Sequence, residues 1–272
     1  MMAVKGLLID LPRCIGCRGC QVACKHEYKR AAEKTQFFGG PGYQNPADLS
    51  PETWCLVTYN EVVISGRYEW VFGKRQCMHC QVPGCASACP VKALEKLDSG
   101  PVIYHRDKCI GCRYCMLACP FVVPRFEYST WNPYITKCTM CAGRQAAGEI
   151  PACAKACPTG AITFGDRAAL IQEAQDRMAA NPSKYVHHIY GLNEAGGTCV
   201  LHISSVPFEK LSYVLRVPRS PMVAHTEPAM KAIPMVMLGL ASVLGVGYAL
   251  RTRKQRNEGH VDAPKSDERS ER

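Results

Sequence analysis

The sequence predicts an α+β chain built from a repeated half-unit (loop, short helix, strand, loop) and closed by one C-terminal transmembrane helix. Three observations predict it. Sixteen of the eighteen cysteines fall into four sets of four. Short β-rich segments lead into the cysteine loops. A run of nineteen uncharged residues, Ala232 to Leu250, lies near the C-terminus.

The third cysteine set is the clearest. Cys109-Ile110-Gly111-Cys112-Arg113-Tyr114-Cys115-Met116-Leu117-Ala118-Cys119-Pro120 reads C-x2-C-x2-C-x3-C-P, the bacterial ferredoxin spacing for a 4Fe–4S cluster. Three thiolates in one tight loop hold one cube, and the fourth ligates the other cube of a two-cluster pair. Such a run needs a partner. Cys14, Cys17, Cys20 and Cys24 repeat the spacing. Cys77, Cys80, Cys85 and Cys89 carry a two-residue insertion before their third cysteine. Cys138, Cys141, Cys153 and Cys157 carry a longer insertion at the same place. Four 4Fe–4S clusters and an electron-transfer role are the expectation. Three cysteines crowded into one loop, twice over, make a poor disulfide framework. Taken alone, the fourth set also satisfies a zinc site. Cys55 and Cys199 fall outside every set and are expected as small buried hydrophobes.

The formal charge of +10 counts the cysteines as neutral thiols. A cube with four thiolates carries roughly −2, so four bring about −8 and leave the loaded chain near neutral. Arg13, Arg18, Lys25, Arg106, Lys108, Arg113 and Lys137 lie beside ligand cysteines and are read as compensating clusters. No nucleic-acid signature is present. Nor is there a nucleophile–base motif, phosphate loop or nicotinamide fingerprint, so the chain has no sign of a catalytic site of its own.

In chain order, Met1 to Asp10 has no twin arginine or long apolar region, and no signal peptide is expected there. Gly6 to Asp10 reads as a strand entering the first loop. A helix is expected over Gln21 to Lys34, with Cys24 in its first turn. Phe37 to Pro51 reads as a loop. Trp54 to Ile64 and Tyr68 to Phe72 read as a hairpin through Ser65-Gly66-Arg67, a structural insertion without ligands. Val102 to His105 is a strand into the third set. Prolines after Cys89, Cys119 and Cys157 turn the chain away, while the first set has Lys25 there. Small residues at Gly16, Gly19, Gly111 and Ala118 are expected to let backbone amides approach the cluster sulfurs. Phe121, Phe126, Tyr128, Trp131 and Tyr134 between the third and fourth sets are expected as packing aromatics. Arg167 to Ala180 has a helical apolar period, ended by Asn181-Pro182. Cys199 to Val206 reads as a strand. His187 and His188 are expected at the surface, and no C-x-x-C-H run offers a covalent haem.

Ala232 to Leu250 is long enough to span a bilayer, with Pro234 expected in its first turn. Arg251, Arg253, Lys254 and Arg256 crowd its end, which by the positive-inside rule makes the tail 251–272 cytoplasmic. The cluster-bearing part is then expected on the periplasmic side of an inner membrane.

These motifs resemble a known family. Lys74-Arg75-Gln76-Cys77-Met78-His79-Cys80, the Cys109 to Cys115 run, Pro151-Ala152-Cys153, Tyr190-Gly191 and one C-terminal helix are similar to the four-cluster iron–sulfur (beta) subunits of membrane-bound respiratory formate dehydrogenases. The iron–sulfur subunit of periplasm-facing nickel–iron hydrogenase is a relative. Phe37-Phe38-Gly39-Gly40 and Leu49 to Trp54 look closer to the formate dehydrogenase branch. The resemblance implies two pseudo-twofold ferredoxin-like (βαβ-type) domains. One comprises 1–72 with 125–180, the other 73–124, followed by an extension over 181–231, the membrane helix 232–250 and the tail 251–272. It also implies crossed ligation. Cys14, Cys17, Cys20 and Cys157 would hold one cube, and Cys138, Cys141, Cys153 and Cys24 its neighbour. Cys77, Cys80, Cys85 and Cys119 would hold a third, and Cys109, Cys112, Cys115 and Cys89 the fourth. Spacing alone equally allows pairing of the first set with the second and the third with the fourth. The implied partners are a molybdenum or tungsten (molybdopterin) catalytic subunit and a cytochrome b-type membrane subunit. The absent signal peptide fits a subunit exported with its catalytic partner.

Overall fold

A continuous apolar run makes a strand buried on both faces, and β1 (Lys5–Asp10) is one, with Leu7, Leu8 and Ile9 all inside. The computed structural model describes residues 3–36, 43–64, 66–129, 131 and 134–259. Phe37 to Gly40, the turn residue Ser65 and the tail 260–272 lie outside the described residues.

Helix α1 (Gly19–Glu27) follows the first cysteine loop. It is shorter than the expected Gln21 to Lys34, and Cys24 sits in its second turn. The stop has a specific cause. Lys29 adopts a left-handed φ of 49°, the Lys29 N–H donates to His26 O at 3.2 Å, and the Arg30 N–H donates to Lys25 O at 2.9 Å. That is a Schellman cap built on lysine instead of glycine.

β2 (Leu56–Ile64) and β3 (Arg67–Arg75) form the expected hairpin, with β3 longer than Tyr68 to Phe72. Its register sets Val57 opposite Lys74. Then come α2 (Gly84–Ser87), β4 (Leu94–Lys96), β5 (Val102–Tyr104) and α3 (Tyr114–Leu117). The aromatic linker holds a small unpredicted ladder, β6 (Arg125–Phe126) on β7 (Ile135–Thr136). Phe121 and Phe126 are buried there, while Tyr128 and Trp131 face solvent. α4 (Ala142–Ala146) fills the insertion of the fourth set, and α5 (Ala152–Lys155) carries Cys153. β8 (Ile162–Asp166), α6 (Arg167–Ala180) and β9 (Val200–Ile203) follow, with α6 at the expected bounds.

β1 is the middle strand of a three-stranded sheet, antiparallel to β8 and parallel to β9. Its alternation splits two cores. Leu8 packs with Leu170, Ala174, Met178, Leu201 and Ile203 under α6. Leu7 and Ile9 face the core that contains the cysteines of the first and fourth sets. Asp10 ties α6 to β1: its buried carboxylate accepts hydrogen bonds from Arg177 Nη1 at 2.8 Å and Tyr185 Oη at 3.0 Å.

The chain divides into two units, 1–224 and 225–272. α7 (Met222–Gly259) contains one stretch, Ala232–Arg256, long and apolar enough to cross a membrane. Pro221 starts the helix, accepting a hydrogen bond from the Ala224 N–H at 3.0 Å. Pro234 therefore lies inside the helix, not in its first turn as expected. Residues 232–250 are all exposed, the arrangement of a helix that needs an apolar surrounding.

The cap at Lys29 yields a prediction. A left-handed residue with a side chain costs about 1–2 kcal/mol, while glycine adds about 0.5–1 kcal/mol of chain entropy. Lys29→Gly should stabilise the fold by roughly 0.5–1 kcal/mol, read as a higher midpoint in thermal unfolding by circular dichroism. A lower midpoint contradicts the cap.

Candidate metal centres

The first and third cysteine sets share one backbone. Each is entered by a 3-10 turn, Leu11–Arg13 or Arg106–Lys108. Cys14 (φ −75°, ψ 131°) matches Cys109 (φ −77°, ψ 126°). Gly16 and Gly111 follow at φ 68° and 69°, then Arg18 and Arg113 at 59° and 65°. Left-handed residues in such alternation turn N–H groups into a concavity, a nest that suits an anion or an iron–sulfur cluster. His79 (φ 49°) serves the second set, Met140 (54°) and Cys141 (51°) the fourth. Amides do approach the sulfurs: Gly111 N–H donates to Cys109 Sγ at 3.4 Å and Met140 N–H to Cys138 Sγ at 3.3 Å.

The ends of the sets share a second device. The carbonyls of Cys89, Cys119 and Cys157 accept from the N–H groups of Lys92, Val122 and Gly160 at 3.2, 3.1 and 3.3 Å. Each turn has proline second, where its fixed φ fits, and a left-handed residue last. Cys24 lacks the proline, and its helix continues to Glu27.

The two devices bring separate sets together. β1 precedes the first set and pairs with β8, which follows the fourth. β4 follows the second set and pairs with β5, which precedes the third. α1 packs on α5, and α2 on α3. The thiols follow suit. Cys14 lies in the field of Cys157 and Cys17, and Cys24 in that of Cys55, Cys138 and Cys153. Cys80 faces Cys77, Cys119 and Cys85. Cys115 faces Cys109, Cys89 and Cys112.

Cys14, Cys17, Cys20 and Cys157 line one pocket, walled by Ile9, Val57, Phe72 and Ile162. Val57 and Phe72 come from the β2–β3 hairpin, which thus forms a wall of this site. Tyr59 of the same hairpin donates to Gly16 O and accepts from Arg18 Nε at 3.0 Å. A Cβ on Gly16 would stand 2.9 Å from the Phe72 ring. Burial pushes the thiols of Cys85 and Cys115 up to about 12, and that of Cys153 to about 11. Without a cationic metal core these thiols stay protonated, and loading iron displaces the protons. Among the described residues, no three His, Cys, Asp or Glu side chains close on a point as the ligands of a single ion would. A four-iron cube is wider than one ion and holds its thiolates further apart. Buried donors also lack a protein partner, namely Gln76 Nε2 and His79 Nε2. Thiol sets, amide nests, apolar walls and spare donors together fit 4Fe–4S cubes.

Sequence reasoning missed Lys74. Its side chain is 4% exposed, and its Nζ donates to Gln76 Oε1. Burial alone would pull its ammonium down, and negative charge on the sulfurs of Cys55, Cys153, Cys20 and Cys138 pushes it well above the ordinary lysine value. Cys55, expected as a small buried hydrophobe, is buried as foreseen. It is nevertheless polarised down to about 6, by its hydrogen bond with Cys20 and, against burial, by Lys74. Alternation in β3 was the only available signal, and it does not mark a lysine as buried. Lys137 is buried as well, donating to Cys138 O at 3.1 Å. Cys199 is fully buried. His187 and His188 are exposed, and His188 Nε2 meets Glu194 Oε1 at 2.9 Å.

Two family models, each described as "4Fe-4S dicluster domain", match residues 68–167 and 13–93. The formate dehydrogenase, nitrate-inducible, iron-sulfur subunit of Escherichia coli K12 is 40% identical over 72% of this chain and 66% of that subunit, so the match spans just under two thirds of that relative. The formate dehydrogenase-O iron-sulfur subunit of the same organism is 34% identical over 96% of this chain and 89% of that subunit. The hydrogenase-2 operon protein HybA of Escherichia coli O157:H7 is 34% identical over 94% of this chain and 86% of that protein.

Gly111 tests the amide nest. Valine cannot hold a φ of 69° without strain, so Gly111→Val should withdraw its N–H from Cys109 Sγ. One cluster is then expected to show a lower reduction potential, read by redox titration, because amide donors to sulfur raise it. An unchanged titration counts against the nest.

Proposed function

The chain belongs to the family of 4Fe–4S iron–sulfur subunits that includes those of formate dehydrogenase and HybA, and on that premise we propose that it is the electron-transfer subunit of a membrane-bound respiratory formate dehydrogenase. It passes electrons through four 4Fe–4S clusters from a molybdenum or tungsten catalytic subunit to a cytochrome b-type, quinone-reducing membrane subunit. The observation that carries this reading is that separate cysteine sets are brought together, by the pairing of β1 with β8 and of β4 with β5 and by the pocket that Cys14, Cys17, Cys20 and Cys157 share.

Cys14, Cys17 and Cys20 hold the first cube with Cys157. Cys138, Cys141 and Cys153 hold the second with Cys24. Cys77, Cys80 and Cys85 hold the third with Cys119. Cys109, Cys112 and Cys115 hold the fourth with Cys89. The strand pairs β1–β8 and β4–β5 support this assignment over the pairing of first with second and third with fourth. They equally support a ferredoxin-like domain of 1–72 with 125–180 enclosing another of 73–124. The clusters supply one-electron chemistry. The chain supplies amide donors, apolar walls and buried cations, which set potential and exclude water.

α7 anchors the subunit in the inner membrane. Arg251, Arg253, Lys254 and Arg256 favour a cytoplasmic C-terminus and a periplasmic cluster domain. A second reading keeps the wiring and changes the donor to a nickel–iron hydrogenase, favoured by the near full-length likeness to HybA.

Purification of the full chain from its membrane separates these readings. The expected result is about sixteen irons per chain and a co-purifying large subunit containing molybdenum or tungsten. A nickel-containing partner selects the hydrogenase. An iron-free, zinc-containing preparation that keeps its fold overturns the electron-transfer reading.

A further inference from the structure

A buried lysine ordinarily needs an anion, because an unpaired ammonium in the interior costs several kcal/mol. Lys74 is 4% exposed, and its ammonium is bonded to the neutral amide oxygen of Gln76. Among the described residues, no carboxylate forms an ion pair with it.

What surrounds it is cysteine sulfur, that of Cys55, which lies outside every set, and that of two separate sets. Lys74 lines the pocket of Cys14, Cys17, Cys20 and Cys157. Its charge also acts on the thiols of Cys24, Cys138 and Cys153. The backbone holds it in place. Lys74 lies opposite Val57 in the β2–β3 register, and its N–H donates to Tyr213 Oη at 3.3 Å. Tyr213 Oη in turn is 2.9 Å from His202 Nδ1. The cysteines of the other two sets have a different cation, since Lys137 acts on Cys85 and Cys119.

We propose that Lys74 is a positioning residue for electron transfer, a fixed buried positive charge shared by the first and second cubes. Cys55, polarised beside it, takes part of that charge, and the pair of clusters supplies the remaining counter-charge. A cube with four thiolates carries roughly −2 when oxidised and gains one more negative charge on reduction. A cation held between two cubes stabilises the reduced form of each and raises both reduction potentials. It also lessens the repulsion between two adjacent reduced cubes, so that both can hold an electron in succession. The β2–β3 hairpin, which contributes no ligand, exists in part to deliver this charge. This inference rests on the crossed ligand sets proposed above.

The test is a redox titration of all four clusters by low-temperature electron paramagnetic resonance. It uses the full chain carrying its clusters, with iron counted in every sample. Lys74→Met removes the charge and keeps the apolar stem; Lys74→Arg keeps the charge. With full iron in Lys74→Met, two of the four potentials are expected to fall and two to stay, and Lys74→Arg should bring the two back toward their original values. Loss of about half the iron in Lys74→Met, restored in Lys74→Arg, supports the same role, because the charge is then needed to hold those cubes. With full iron, unchanged potentials or any other pattern of shifts overturns the proposal, as does equal iron loss in both variants. The iron count of the unmodified chain tests the four-cluster reading separately.

Discussion

The proposed crossed ligation requires that a C-x2-C-x2-C loop present three thiolates to one side of a cube and that the fourth come from a segment turning back from another loop. That requirement accounts for most of this architecture. Each cysteine loop runs into a short helix that bears its third cysteine, and the fourth lies within α1 or just past α2, α3 or α5. The strands then hold the departing segment against a different loop. β1 on β8 and β4 on β5 make the same antiparallel pairing twice, one nested within the other. The large core is a continuation of the cysteine-bearing surface, and the smaller one under α6 holds β1 from its other face.

The same requirement sets the electrostatics. Burial alone keeps the ligand thiols protonated, so iron has to bring the charge that makes them thiolates. The resulting anionic cubes need donors and cations around them. Left-handed nests provide amides, while Lys74 and Lys137 provide ammonium groups at depths where lysine is rare. Arg18 and Arg113 act nearer the surface and stack on Tyr59 and on Phe126 with Tyr128. These cations help explain why a chain with a formal charge of +10 need not be read as a polyanion binder.

Much of this was legible in the sequence. Cysteine spacing marks the four loops because the loop geometry is local, and the helical period of Arg167 to Ala180 survives because Leu170, Ala174 and Met178 face one core. The early stop of α1 was not legible, since lysine at a left-handed cap carries no signal that glycine would give. Two-residue strands such as β6 and β7 are too short for a period to show. The depth of Lys74 was hidden for a different reason. Its burial depends on a hairpin packing over a cysteine loop distant in sequence, and on charges that the bare sequence counts as neutral.

The proposed crossing of the fourth ligands is the claim on which the wiring depends. Crystals of the anaerobically purified chain, with iron located by anomalous scattering, test it directly. The account predicts four iron clusters, with Cys157 Sγ on the cube held by Cys14, Cys17 and Cys20, and Cys119 Sγ on the cube held by Cys77, Cys80 and Cys85. Cys157 bound to the same cube as Cys138, Cys141 and Cys153 would contradict it.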